Sequence, residues 1–219
     1  MGTTYEILIA DDHPLFRSAL FQALNAGLAG EIRLTEAGSI AELQSLLEQR
    51  GNWDLVLLDL NMPGAHGFSG LVLLRSQYPH VPVIVISAQE EAAVVRRARD
   101  FGASVFIPKS SSLEVIQQSV QDVLNGDACW PAQVDEAVSP LSSEQQTISA
   151  QLASLTPQQF RVLSMVCDGL LNKQIAYELN VSEATVKAHV TAIFRKLDVR
   201  TRTQAALALQ HMELARETT

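Results

Sequence analysis

The stretch "LVLLDLNMPG", Leu55 to Gly64, runs four apolar residues into an aspartate, Asp59, and reaches a Pro-Gly turn beyond it. A short apolar run bounded by turn residues reads as a buried strand. A carboxylate at the tip of such a strand pays for its lost hydration unless a partner faces it, so Asp59 either caps the next segment or belongs to a site.

Four other runs resemble it: "YEILIA" (5–10), "IRLTEA" (32–37), "VPVIVIS" (81–87) and "SVFIP" (104–108). Between them lie amphipathic stretches. Phe16, Leu20, Leu24 and Leu28 recur at four-residue spacing, and Ile40, Leu43, Leu46 and Leu47 share one face. Alternating strand and helix patterns with apolar central strands predict an α/β doubly wound, flavodoxin-like domain with a five-stranded parallel sheet. Ligands of such sheets bind beyond the carboxyl ends of the strands.

Asp11 and Asp12 end the first predicted strand, Asp59 the third and Ser87 the fourth, while Lys109 follows the fifth. In one parallel sheet all five converge on one edge. Carboxylates crowded together repel unless they share a cation, and hard oxygen donors at an open, hydrated site favour Mg²⁺. Singly, each residue is explained as a helix cap or a solvated loop charge. In that order, they resemble the receiver domain of two-component response regulators over about residues 5–125. The resemblance implies a phosphoacceptor at Asp59 and a Mg²⁺ site of Asp11, Asp12, Asp59 and the backbone carbonyl of Asn61. It implies phosphoryl and switch roles for Ser87, Phe106 and Lys109, with the Phe106 ring turning inward on phosphorylation. Pro108 precedes Lys109, whereas many receivers place proline after the lysine.

Residues 128–154 break the pattern with two prolines, several Ser and Gln, and no basic residue. We divide the chain into a receiver at 1–127, a linker at 128–153 that can hold a helical turn, and a second, all-α helix-turn-helix domain at 154–219. In that last part "NKQIAYELN" and "SEATVKAHVTAIFRKLD" read as two helices joined by a turn. Val186, Val190, Ile193 and Leu197 fall on an inner face, and Lys187, Ala188, Thr191 and Arg195 on an outer one. A basic face with small residues at a helix start suits the DNA major groove, although a plain bundle with a solvated basic face has the same pattern. The string closely resembles the LuxR-type helix-turn-helix of NarL/FixJ regulators. That resemblance implies base readout by Lys187, Ala188 and Thr191. Lys173, Thr185, Arg195, Lys196 and Arg202 would hold phosphates, and the last helix, Ala205 to Leu214, would carry a homodimer contact.

Composition agrees. The net charge of -8 conceals an acidic front, with 8 basic and 15 acidic residues in 1–127, and a basic tail, with 8 and 6 in 155–219. Cys129 and Cys167 lack metal spacing, which fits a reducing compartment. No run approaches a membrane span and the N-terminus lacks a signal-peptide pattern, so a cytoplasmic protein without a membrane partner is expected. The expected partners are double-stranded DNA and a sensor histidine kinase. An aspartyl phosphatase is the competing enzyme reading, but Asn61 stands where its acid would, two residues after Asp59. An atypical regulator indifferent to phosphorylation is the third. We expect a regulator, not an enzyme.

Overall fold

A computed structural model describes residues 4–28, 30–65, 67–127, 130 and 143–210. Most of the linker stretch, Cys129 and the part of the last helix beyond Gln210 lie outside the described residues. The strands are β1 (Thr4–Ala10), β2 (Glu31–Ala37), β3 (Leu55–Asp59), β4 (Val83–Ser87) and β5 (Val105–Pro108), all parallel in the order β2-β1-β3-β4-β5. The order reverses direction between β1 and β3, where open sheets of this kind bind ligands.

Helices α1 (Pro14–Gly27) and α5 (Leu113–Asn125) cover one face of the sheet, packing on Ile7, Ile9, Leu55, Leu57, Ile84 and Ile86. Helices α2 (Ile40–Gln49), α3 (Ser69–Gln77) and α4 (Ala92–Asp100) cover the other, over Leu8, Val56, Leu58, Val83, Val85 and Phe106. Each central strand is buried on both sides, which is why β3 and β4 read as unbroken apolar runs rather than alternating ones.

The stretch read as a linker contains α6 (Ser143–Ala153), three turns rather than one. The helix-turn-helix part follows as α7 (Pro157–Cys167), α8 (Asn172–Glu178), α9 (Glu183–Lys196) and α10 (Arg202–Gln210). Thr156 starts α7 with a capping box: its hydroxyl accepts from Gln159 N and the Gln159 side chain accepts from Thr156 N. Asn180, at φ 51°, makes the left-handed turn between α8 and α9, a conformation asparagine tolerates. Ile175, Val186, Ile193 and Leu197 are buried as expected, and Leu179 and Val190 are half-buried against them.

The two parts share one core. Leu71 and Leu74 of α3 belong to the same buried cluster as Ile148 and Leu152 of α6 and Leu163 of α7. Residues Ser69 to Leu74 are all buried, because the sheet covers one side of α3 and α6 the other. Among the described residues no helix is long and apolar enough to cross a membrane.

Candidate functional site

Strand register builds the first site. Ala10 pairs with Leu58, so Asp11 stands beside Asp59; Asp59 pairs with Ile86, one residue before Ser87; and Ser87 pairs with Pro108, so Lys109 comes next. The Lys109 ammonium bridges the acids, 2.7 Å from Asp11 Oδ2 and 2.7 Å from Asp59 Oδ2. Asp11, Asp59 and Ser87 are buried, while Asp12 lies at the rim.

Burial raises the Asp59 carboxyl above its ordinary range, against the lowering effect of the Lys109 ammonium and the Asn61 N–H, which donates to Asp59 Oδ1 at 3.1 Å. Burial alone would lower the Lys109 ammonium; its hydrogen bonds to Asp11 and Asp59 outweigh that and raise it. A carboxylate, when ionised, can act as an oxygen nucleophile.

The ligand atoms of Asp11, Asp12, His13 and Asp59 lie within 4.8 Å of one another. Asp12 Oδ1 is buried and accepts no hydrogen bond, although His13 Nδ1 approaches to 2.7 Å. Three carboxylates converging on one corner fit a hard divalent cation. Two residues that sequence reasoning missed brace this corner. His13 donates its backbone N–H to Asp11 Oδ1 at 2.7 Å, and Arg17 Nη1 donates to the Asp11 carbonyl at 2.6 Å. The spacing Asp11–His13 was a legible signal, because an aspartate commonly accepts from the backbone two residues on.

Ser87 Oγ accepts from Gln89 N at 3.2 Å. The Phe106 ring is already inside, 4% exposed on the α3 and α4 face of the sheet, so in this conformation it needs no inward rotation.

The second site is α9. Its cap Ser182 accepts from Thr185 N at 3.1 Å and its hydroxyl pairs with Thr185 Oγ1 at 2.8 Å. Lys187, Ala188, Thr191 and Arg195 are all exposed along one side, with Lys187 in a surface pair with Glu183 and the Thr191 hydroxyl turned back to the Lys187 carbonyl. Lys173 is exposed near the start of α8. Two cations expected on DNA are instead turned inward: Lys196 Nζ donates to the Ser154 carbonyl at 2.6 Å, and Arg202 Nη2 to Asn172 Oδ1 at 3.0 Å. Charge and position on the helix place them on the DNA side; the carbonyl and amide opposite them belong to distant segments.

The junction between the two parts was not foreseen. Ser164 Oγ of α7 donates to the Gly64 carbonyl at 3.0 Å, and Gln77 Nε2 at the end of α3 donates to the Leu155 carbonyl at 2.9 Å. Its one signal in the sequence is "GLVLL" in α3, apolar on every side, which marks a helix covered twice.

Comparisons with known proteins cover both parts of the chain. The response regulator receiver domain family matches residues 7–121, and the bacterial regulatory proteins, luxR family, match residues 153–209. The chain is 42% identical to the glycerol metabolism activator of Pseudomonas putida, over 93% of this chain and 94% of that one. It is 33% identical to the nitrate/nitrite response regulator protein NarP of Escherichia coli, over 94% of each. A crystal structure of a LuxR family DNA-binding response regulator from Silicibacter pomeroyi covers 59% of the chain at 32% identity and a TM-score of 0.52. A structure of two RcsB dimers bound to two parallel DNAs shares the fold over 96% of this chain and 98% of that one, at 21% identity and a TM-score of 0.55. With an acidic pocket at the head of the sheet and an exposed basic helix at its other end of the sequence, the chain belongs to the two-component response regulators of transcription, a receiver domain followed by a luxR-type domain.

Proposed function

We propose that a sensor histidine kinase phosphorylates Asp59, with Mg²⁺ held by Asp11, Asp12, Asp59 and the Asn61 backbone carbonyl, and that this controls sequence-specific binding of double-stranded DNA in the cytoplasm. The observation that carries it is the Lys109 ammonium at 2.7 Å from both Asp11 and Asp59, in a buried pocket at the switch point of the sheet. An Asp59 oxygen forms a bond to phosphorus as the donor's P–N bond breaks, and the imidazole released takes up a proton. Mg²⁺, when bound, neutralises charge on the phosphoryl oxygens. Lys109 then pairs with those oxygens, and the Ser87 hydroxyl, buried at the adjacent strand end, turns to donate to them. The added charge of about -1.5 to -2 acts on a loop that already touches the second domain through Gly64.

Lys187, Ala188 and Thr191 read base edges in the major groove, while Lys173, Thr185 and Arg195 hold phosphates. The docked receiver leaves that face of α9 open, so phosphorylation acts on pairing of two chains more than on uncovering the helix. Leu207 is 51% exposed on α10 between buried Ala205 and Leu209, and supplies an apolar homodimer contact. The name of the 42% identical relative, an activator, supports activation as the direction of control.

The test compares wild type and Asp59→Asn, with and without Mg²⁺ and acetyl phosphate, for binding to a duplex that the wild-type chain selects from random sequence. Wild type gains affinity and the mass of one phosphoryl group only with both additions, and Asp59→Asn gains neither. Equal affinity in every condition overturns the phospho-switch.

A further inference from the structure

The turn between α6 and α7 presents two consecutive backbone carbonyls that are held from opposite sides. Leu155 O accepts from Gln77 Nε2 of the receiver, at 2.9 Å. Ser154 O accepts from Nζ of Lys196, the last residue of α9, at 2.6 Å. Lys196 Nζ also donates to Gln159 Oε1 at 2.8 Å, and the same Gln159 oxygen closes the cap of α7 through Thr156 N.

The last carbonyls of a helix have no partner within it and carry its negative partial charge, so an ammonium there is held by charge as well as by hydrogen bonds. Ser154 follows α6 directly, and α6 is packed on α3. Lys196 is half-buried and meets two acceptors, whereas its neighbour Arg195 is exposed on the outer side of α9. To reach a phosphate, Lys196 would have to leave the end of α6.

Resting on the DNA-binding reading above, we propose that Lys196 is not a DNA contact but a positioning residue. It couples the receiver to the recognition helix α9 through the Ser154–Leu155 carbonyl pair. Movement of α3 is felt at Leu155, transmitted one residue to Ser154, and delivered to the C-terminal end of α9. Arg195 alone of the two adjacent cations then faces the phosphate backbone.

The experiment uses the full chain and the duplex selected by the wild type, and follows affinity by fluorescence anisotropy across a KCl series. Each phosphate contact steepens the fall of log K against log salt by about 0.9. Lys196→Gln removes the charge but keeps a donor for Ser154; Lys196→Met removes both. The expected result is an unchanged salt slope for Lys196→Gln, a slope shallower by about 0.9 for Arg195→Ala, and lost affinity in Lys196→Met that Lys196→Gln restores. Gln77→Ala should alter affinity by about fivefold or more in the wild-type background and leave it unaltered in Lys196→Met.

Thermal unfolding of every variant is recorded alongside, and Lys196→Gln carries the test if Lys196→Met is unfolded. A slope shallower by about 0.9 for Lys196→Gln makes it a phosphate contact and overturns the proposal. Equal effects of Gln77→Ala in both backgrounds overturn the coupling alone. A wild-type chain without affinity for any duplex overturns the DNA-binding reading and this proposal together.

Discussion

Lys109 and Asp59, fifty residues apart in sequence, meet at 2.7 Å with the carboxylate buried and the ammonium nearly so. Removing one member of such a pair leaves the other charged and unpaired in a poorly hydrated place, which costs about 3 kcal/mol. Lys109→Met should therefore lose about 3 kcal/mol in urea unfolding at pH 7. The loss should shrink toward pH 5. Asp59 has a folded-state pKa raised by burial, so the stability it contributes is fully present below its unfolded value and lost as pH rises through the folded one. Without Lys109 that folded value rises further, and acid neutralises the orphaned carboxyl. An equal loss at both pH values would exclude this explanation.

The contact between Ser164 and Gly64 ties α7 to the loop that follows the phosphoacceptor strand. Ser164→Ala leaves the Gly64 carbonyl without its partner and should cost about 1 kcal/mol, with faster proteolysis between the two parts. Gly64→Ala should be worse. Gly64 adopts φ +81°, and a Cβ there would lie 3.4 Å from Ser164 Oγ and 3.5 Å from Ile40 Cβ. Strain at a left-handed position adds about 1 kcal/mol to the disturbed contact. Thermal unfolding of the two variants side by side checks the ranking.

Lys187→Ala should cost about 1–3 kcal/mol on the selected duplex and much less on random DNA, because a base contact is lost. Arg195→Ala should weaken both alike and flatten the salt dependence. Equal loss on the two duplexes for Lys187→Ala would remove it from the base-reading set.

Thr156→Ala removes one half of the capping box at the start of α7 and should destabilise the C-terminal part by about 1 kcal/mol. Hydrogen exchange of the first-turn amides of α7, Gln159 above all, reports it directly.

The receiver was readable because its chemistry sits at strand ends: an apolar run names the strand, and the polar residue that ends it lands on the shared edge. Five runs with Asp11, Asp12, Asp59, Ser87 and Lys109 behind them predict a parallel sheet with a shared polar edge, and the register brings those residues there. The junction was not readable in the same way. Gln77, Ser164 and Lys196 are ordinary surface residue types on their own helices, and what distinguishes them is a backbone carbonyl of a segment distant in sequence, which no periodicity announces. The same holds for α6, whose weak amphipathic pattern hides a helix held by α3 rather than by its own propensity. Phe106 lies buried on β5, and the orientation of its ring depends on space left by neighbours from other elements.

The order β2-β1-β3-β4-β5 also sets a timetable for synthesis. Once β3 has left the ribosome it can join β1 and bring Asp59 beside Asp11, yet the lysine that reconciles them is fifty residues further along the chain. During that interval the two facing acids lack the ammonium that later bridges them, and Arg17 and His13, already synthesised, are the cationic groups beside Asp11 until β5 arrives.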